Sequence, residues 1–213
     1  MKKALFAILF LSAFLTAASG QDGRIIQRKV SVIDFKNKEN LIFFSPKTNL
    51  GVILYQAVTD GRQNQKVKAF ADSALSIAMS IEEIRMSGSY YDTITVYPDP
   101  GDDISSYDTV LFNPYNPMTV KKFLIIEDSM ADLSGQGFNK IIALAPIYEK
   151  TIHEVPINEY PLFYVRFDDI KSILSQEFYM SSSSMGIKQN MLDVFLQRMF
   201  KTSGYDKGYT LVR

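Results

Sequence analysis

The sequence predicts a single α+β domain: an antiparallel or mixed sheet with three to four packed helices. Strand-like apolar runs are interspersed with segments whose apolar residues recur at helical spacing. Their order shows neither regular βαβ alternation nor a 20–50-residue repeat. The 213 residues, 46% hydrophobic and 22% charged, suit one globular domain.

The residue counts exclude several classes of protein. The 23 basic and 23 acidic side chains balance, whereas a nucleic-acid binder normally carries a basic excess. The chain has no Cys and one His. Thiolate nucleophiles, disulfides, Cys-ligated zinc and multi-His metal sites are therefore excluded, and we expect no cofactor and no metal.

Residues 1–20 have the pattern of a secretory signal peptide. Lys2 and Lys3 precede an apolar run, and small residues follow. Gly20 and Gln21 flank the predicted cleavage site. The run of about 15 residues is shorter than the ~20 that span a bilayer, although an uncleaved anchor is the alternative. No Cys follows the cleavage site, so we expect an exported protein that is not itself lipidated.

The elements of the first half follow in order. We predict a strand at 29–35, and a second strand or an extended docking segment at 41–44. Helical spacing predicts a helix over 49–60 that stops at Asp60-Gly61. A short strand at 75–79 and a helix over 81–86 come next. Ser80 and Glu83 have the spacing of a capping box at the start of that helix.

Residues 87–118 differ in composition, with four of the eight prolines and many Gly, Ser, Asp and Tyr. Strands at 93–97 and 109–112 would form a hairpin insertion, and a surface loop is the alternative. The acids Asp99, Asp102 and Asp103 lack the alternating order and distal Glu of a calcium loop. They therefore indicate a turn.

The second half predicts a long antiparallel hairpin from strands at 120–127 and 139–148. The glycines at its turn, Gly135 and Gly137, lack the spacing to Lys140 that a phosphate loop needs. A further strand is expected at 161–167, then a helix over 169–178 capped by Asp168. After a polar linker at 181–184, a helix at 191–200 has a wide apolar stripe, typical of a buried or docking helix. Residues 21–200 form the predicted domain and 201–213 its tail.

No catalytic signature is present. Nucleophile-elbow and S-x-x-K motifs are absent, and His153 stands alone between two strands. Paired carboxylates leave a hydrolase open, because sequence does not fix their separation in space; they are Glu82–Glu83, Glu127–Asp128 and Asp168–Asp169. Each pair also has a local explanation as a strand end or a helix start.

Three groups of segments resemble the gliding-motility protein N family, GldN or PorN. The first comprises VIDFKNKEN at 32–40, FFSP at 43–46 and LGVILY at 50–55; the second, IIED at 125–128 and IIALAP at 141–146. The third joins PLFYV at 161–165 to DVFLQRMF at 193–200, the most specific match. Tyr164 stands where this family usually has Trp, Lys171 stands for its Arg, and 87–118 has no counterpart.

The resemblance implies a non-enzymatic periplasmic scaffold of the type IX secretion system of Bacteroidota, peripherally associated with the outer membrane. Implied partners are an outer-membrane lipoprotein of the GldK/PorK type and the periplasmic domain of a GldM/PorM-type motor subunit, with copies assembled in a ring. Candidate interface residues are Asp193, Phe195 and Arg198 of the closing motif, and Tyr164. The alternatives are a stand-alone module that binds glycan or peptide in an aromatic pocket, and the hydrolase.

Overall fold

A seven-stranded antiparallel sheet forms the centre of the computed structural model, and the α+β prediction is confirmed. The structure describes residues 24–46, 48–62, 66–97, 106–132, 134–152, 155–180 and 188–205. The strand order is β11-β1-β5-β6-β8-β2, and β7 also pairs with β6. Two separate two-stranded sheets are β3-β4 and β9-β10.

The strands have the following bounds: β1 Arg24–Asp34, β2 Ala69–Phe70, β3 Tyr90–Val96, β4 Tyr107–Asn113, β5 Lys122–Ala131, β6 Gly137–Ile152, β7 Val155–Pro161, β8 Tyr164–Arg166, β9 Phe178–Met180, β10 Lys188–Asn190 and β11 Ser203–Gly204. The long hairpin predicted from two apolar runs is β5–β6. Residues 87–118 hold the β3–β4 hairpin, in which Tyr90 pairs with Asn113 and Val96 with Tyr107.

The helices are α1 Leu50–Thr59, α2 Ile81–Met86, α3 Phe167–Gln176 and α4 Met191–Leu196, with 3-10 helices at Lys38–Phe44 and Pro117–Thr119. The capping box of α2 is present: the Glu83 amide donates to the Ser80 hydroxyl, and the Ser80 amide donates to the Glu83 carboxylate. Asn49 and Asn190 cap α1 and α4 by accepting a backbone N–H bond. Three of the four α-helices therefore begin at a side chain that satisfies a free amide.

The sheet is buried on both faces. The larger cluster joins it to α1, α3 and α4 and includes Leu54, Phe123, Phe163 and Phe195. The smaller cluster covers the opposite face; its members are Val32, Phe70, Leu124, Ile126, Ala143, Ala145, Ile147 and Tyr164. Along β5 the apolar residues from Phe123 to Ile126 therefore point alternately into the larger and the smaller cluster.

Gly51 allows the start of α1 to approach the 3-10 helix at Pro117. A Cβ built on Gly51 would lie 2.5 Å from the Pro117 carbonyl oxygen and 3.2 Å from Val120 Cβ. No side chain fits at that separation, so this contact requires glycine.

A buried amide ties the C-terminal segment to the end of β1. The Asn40 Nδ2 donates to the carbonyl oxygens of Asp34, at 2.8 Å, and Lys201, at 2.9 Å. Its Oδ1 accepts the Lys201 amide at 2.9 Å, and the side chain has no exposed surface. Two residues further on, β11 pairs with Ser31 and Val32 of β1. Residues 203–204, inside the predicted tail, are thus part of the sheet.

Two predicted strands are wrong. Residues 41–44 belong to a 3-10 helix in which Asn40 and Phe43 both point inward, as its three-residue period requires. At 75–79 the Asp72 carboxylate accepts the amides of Ser76 and Ile77 at 2.9 and 2.7 Å and holds a turn. Only an isolated bridge between Phe70 and Ala78 remains there.

Three details of the later elements also differ from prediction. The strand at 161–167 is divided into β7 and β8, because Leu162 and Phe163 both face the larger cluster and interrupt the alternation. Asp168 lies inside the first turn of α3, whose N-cap is Arg166 without a side-chain cap bond.

The last helix ends at Leu196 rather than at residue 200, because Arg198 adopts φ 56°. The amides of Arg198 and Met199 close a Schellman motif on the carbonyls of Phe195 and Val194.

No described helix is long and apolar enough to cross a membrane. The predicted signal peptide, with Gly20 and Gln21, lies outside the described residues, as do His153, the acids at 99, 102 and 103, and the linker at 181–184. The predicted boundaries at residues 20 and 200 stay predictions.

Candidate interaction surface

The structure separates Asp193 from Arg198. Asp193 belongs to the cap of α4: its amide donates to Asn190 Oδ1 at 2.8 Å, and its carboxylate accepts Asn190 Nδ2 at 2.7 Å. Arg198 turns to the sheet and pairs with Glu127 of β5, whose side chain is only 7% exposed. The Arg198 side chain, 38% exposed, remains partly open to solvent. Of the two, Arg198 therefore links the closing motif to the sheet.

The other two candidates are buried on opposite faces of the sheet. Phe195 has no exposed surface and packs against Phe43 and Phe167, with ring centroids 5.0 and 5.4 Å apart. Tyr164 belongs to the smaller cluster, and burial raises the pKa of its hydroxyl to about 12. Because its ring is buried, Phe195 can affect a binding surface only by supporting the side chains that lie above it. An interface role for these residues stays a prediction.

An exposed apolar patch nevertheless lies beside α4. Phe138 and Leu196 are 42% and 59% exposed. Together with Lys171 and Arg198 they line a shallow pocket of about 190 Å³. We call these four residues the C-terminal patch. Its apolar centre is bordered by charged side chains, Lys171 paired with Asp168 and Arg198 with Glu127, which is the arrangement expected of a protein-binding surface.

The β3–β4 hairpin, which we call the arm, is a second exposed surface. Tyr91 and Val110 are 66% and 65% exposed, and Tyr91 contacts Phe112 with ring centroids 5.1 Å apart. Ile94 and Leu111, on the other face of the hairpin, are 40% and 48% exposed. An isolated two-stranded sheet with apolar residues open on both faces is marginally stable in water, so the arm is suited to binding.

The arm is firmly rooted. The Tyr115 amide donates to Ser89 Oγ at 2.9 Å, and Ser87 Oγ donates to the Leu162 carbonyl at 3.1 Å. Gly88 has φ +81°, and a Cβ there would lie 2.9 Å from the Tyr115 ring. The root is therefore part of the domain even though the strands project from it.

A groove of about 540 Å³ runs beside this root. Its walls include the aromatic side chains Tyr90, Tyr115 and Tyr148, with Lys122 and Glu149 among the charged ones. Burial raises the pKa of Tyr115 and Tyr148, because the phenolate form is desolvated. The groove has the aromatic walls expected of the alternative glycan- or peptide-binding module.

Four of the six paired carboxylates, Glu83, Glu127, Asp128 and Asp168, have structural partners. Asp128 accepts two bonds from Arg28, at 2.7 and 2.8 Å, on the face of β5 opposite the Glu127–Arg198 pair. Asp168 pairs with Lys171 at 2.6 Å, which lowers the pKa of its carboxyl. Glu83 is held in its capping box. Among the described residues, no three His, Cys, Asp or Glu side chains are placed to hold a metal ion.

Sequence reasoning predicted a hairpin insertion or a surface loop at 87–118 but not that its apolar side chains are exposed on both faces, although a signal was present. Residues 87–118 contain five Asp and no Lys, Arg or His. A segment with both strand-like aromatic runs and one sign of charge is unusual in a buried hairpin. Arg28 and Asn40 were also missed, because their partners are 100 and 161 residues away.

Comparison with known proteins gives one family. The family described as gliding motility associated protein GldN matches residues 23–205. No curated protein matches the chain. The match covers the sheet, all four α-helices, the arm and the C-terminal patch.

Proposed function

We propose a function from the premise that this chain belongs to the GldN family of gliding motility associated proteins. It is a non-enzymatic scaffold subunit of the gliding and type IX secretion machinery, located in the periplasm at the outer membrane. The observation that carries this proposal is the family match across 23–205, which leaves none of the described core outside it. The carboxylates with structural partners agree with a role that does not require catalysis.

The proposed partners are an outer-membrane lipoprotein of the GldK/PorK type and the periplasmic domain of a GldM/PorM-type subunit, with copies of the chain arranged in a ring. Attachment to the membrane would come from the lipoprotein, since the chain has no Cys to carry a lipid. The C-terminal patch is the proposed docking site for the lipoprotein. It lies on the closing motif and presents Leu196 as an apolar anchor beside the ion-paired side chains of Lys171 and Arg198.

Co-purification from the native cell envelope tests the proposal. Tagged protein solubilised in mild detergent should recover the lipoprotein, and Leu196→Glu should reduce the recovered amount by about tenfold or more, because a charge enters the apolar centre. Ile77→Glu is the matched control, since Ile77 is also 59% exposed but lies near β2. If both variants recover the lipoprotein equally, the C-terminal patch is not its docking site. If the wild type recovers no lipoprotein, the scaffold function is wrong.

The groove at the root of the arm supports a second candidate, the stand-alone binding module. Its aromatic walls would stack on a sugar or a peptide side chain. Saturable binding of cell-wall glycan or peptide fragments, lost in Tyr148→Ala while the lipoprotein is not recovered, would favour this function over the scaffold.

A further inference from the structure

The arm has two unpaired edges. β3 pairs with β4 along seven residues, and neither strand joins another strand in the described part of the chain. The backbone amides and carbonyls on the outer sides of both strands are thus free to accept a further strand.

The arm is also acidic. Its two described acids, Asp92 and Asp108, are exposed and form no ion pair with another described residue. Thr95 Oγ1 donates to Asp108 at 2.7 Å, which leaves the negative charge uncompensated. With the three aspartates at 99, 102 and 103, residues 87–118 carry five negative charges and no positive one. A surface that receives the arm should therefore be basic.

Such a surface exists at the start of β1. Over Arg24–Lys29 this strand is paired with β5, and no other described strand lies along its second side, where β11 (Ser203–Gly204) pairs only with Ser31 and Val32. We call Arg24–Lys29 the open edge. Ile25 and Ile26 are 54% and 67% exposed there. Arg28 is neutralised by Asp128, while Arg24 and Lys29 form no ion pair among the described residues.

The two surfaces lie toward opposite ends of one long strand. The root of the arm shares its groove with Lys122, the first residue of β5. The open edge pairs with Glu127–Ala131 at the other end of β5. Ten residues of strand extend about 30 Å, so one molecule offers an acidic strand near one end and a basic edge near the other.

We propose that the arm of one copy adds as a strand to the open edge of a second copy and links the chains head to tail. The contact would combine backbone hydrogen bonds with apolar cover for Ile25, Ile26 and the aromatic arm, and with opposite charges. Because each copy uses two different surfaces, the contact repeats and produces a ring or a filament. This inference deepens the proposed scaffold function and rests on it for its biological role.

The charges also disfavour the two other pairings that these surfaces could make, open edge on open edge and arm on arm. Two open edges would bring together two strands that each carry Arg24 and Lys29, and two arms would bring together two hairpins that each carry Asp92 and Asp108. Like charges across strands oppose both arrangements, so only arm on edge is favoured.

A charge exchange tests the pairing. Asp92→Lys with Asp108→Lys reverses the charge on the two strands of the arm, and Arg24→Glu with Lys29→Glu reverses the two unpaired charges of the open edge. Each double variant alone brings like charges together, so its self-association should require at least about tenfold more protein than the wild type. An equimolar mixture of the two restores both contacts and should assemble as the wild type does. Light scattering and analytical ultracentrifugation measure the species, which should exceed a dimer.

Glu82→Lys with Asp169→Lys is the matched control, because it makes the same change in net charge as the arm variant at exposed acids outside the strands of the arm. This control variant should self-associate at the same protein concentration as the wild type. Hydrogen exchange should also slow at the amides of the open edge on assembly.

Several results would overturn the inference: monomeric wild type at high concentration, a dimer limit, or a mixture that stays dissociated. Because the assay uses purified chain alone, such a failure leaves lipoprotein recovery standing. Assembly without lipoprotein recovery would instead reject the proposed scaffold function.

Discussion

Asn40→Ala should be among the most damaging single substitutions outside the apolar core. The Asn40 amide makes three hydrogen bonds, two as donor and one as acceptor, at 2.8 to 2.9 Å. Alanine removes all three and leaves the carbonyls of Asp34 and Lys201 and the Lys201 amide without this partner. The side chain itself is completely buried, so water replaces it poorly.

The magnitude follows from those bonds. A buried hydrogen bond contributes about 1 kcal/mol net, and an orphaned buried group costs about 1–3 kcal/mol. Partial entry of water offsets part of this cost, so we expect a loss of about 3 kcal/mol in the free energy of unfolding. The same change should loosen β11, which follows Lys201 by two residues and meets β1 at only two positions.

Urea unfolding followed by circular dichroism measures the first effect, and hydrogen exchange at the Lys201 amide measures the second. Asn139→Ala is the control, because Asn139 is exposed and accepts one bond from Ser129. It should change stability by less than about 0.5 kcal/mol. If Asn40→Ala costs less than about 1 kcal/mol and the Lys201 amide stays protected, the reasoning about the buried tie is wrong.

Three further predictions concern packing, pH and charge. Gly51→Ala should destabilise the fold by about 2 kcal/mol in urea unfolding despite the better helix propensity of Ala, because its Cβ meets Pro117; a stabilised variant would contradict this. Tyr164 has its pKa raised by burial to about 12, so its contribution is complete below pH 10 and about 2 kcal/mol should be lost as the pH rises toward 12. Tyr164→Phe should lessen that alkaline loss, and an unchanged pH profile would refute it. Arg198→Ala should cost about 2 kcal/mol, because it leaves buried Glu127 unpaired, and Glu127→Gln in the same chain should recover part of it; thermal or urea unfolding without such recovery would refute the pairing.

Local sequence patterns predicted local structure well. Helical spacing located α1, and the Ser80–Glu83 spacing located α2 together with its cap. Both depend on interactions within a few residues, which the order of the chain specifies directly.

The errors arose where distant contacts decide the backbone. Phe43 turns inward with Asn40 because Asn40 binds Lys201, so an apolar run that looked like a strand winds into a 3-10 helix. Arg198 closes α4 early in a left-handed conformation, which a non-glycine residue rarely adopts. The closing motif was identified by resemblance, yet that resemblance did not reveal that Phe195 is enclosed while Leu196 is exposed.

The root of the arm has an evolutionary consequence. Ser89 and Tyr115 are joined by a hydrogen bond, so the chain leaves the domain and returns to it at nearly the same place. Everything between them can be lengthened, shortened or replaced without moving α2 or β5. Exchange of this one hairpin would therefore alter how copies of the chain assemble, while α2 and β5 keep their places.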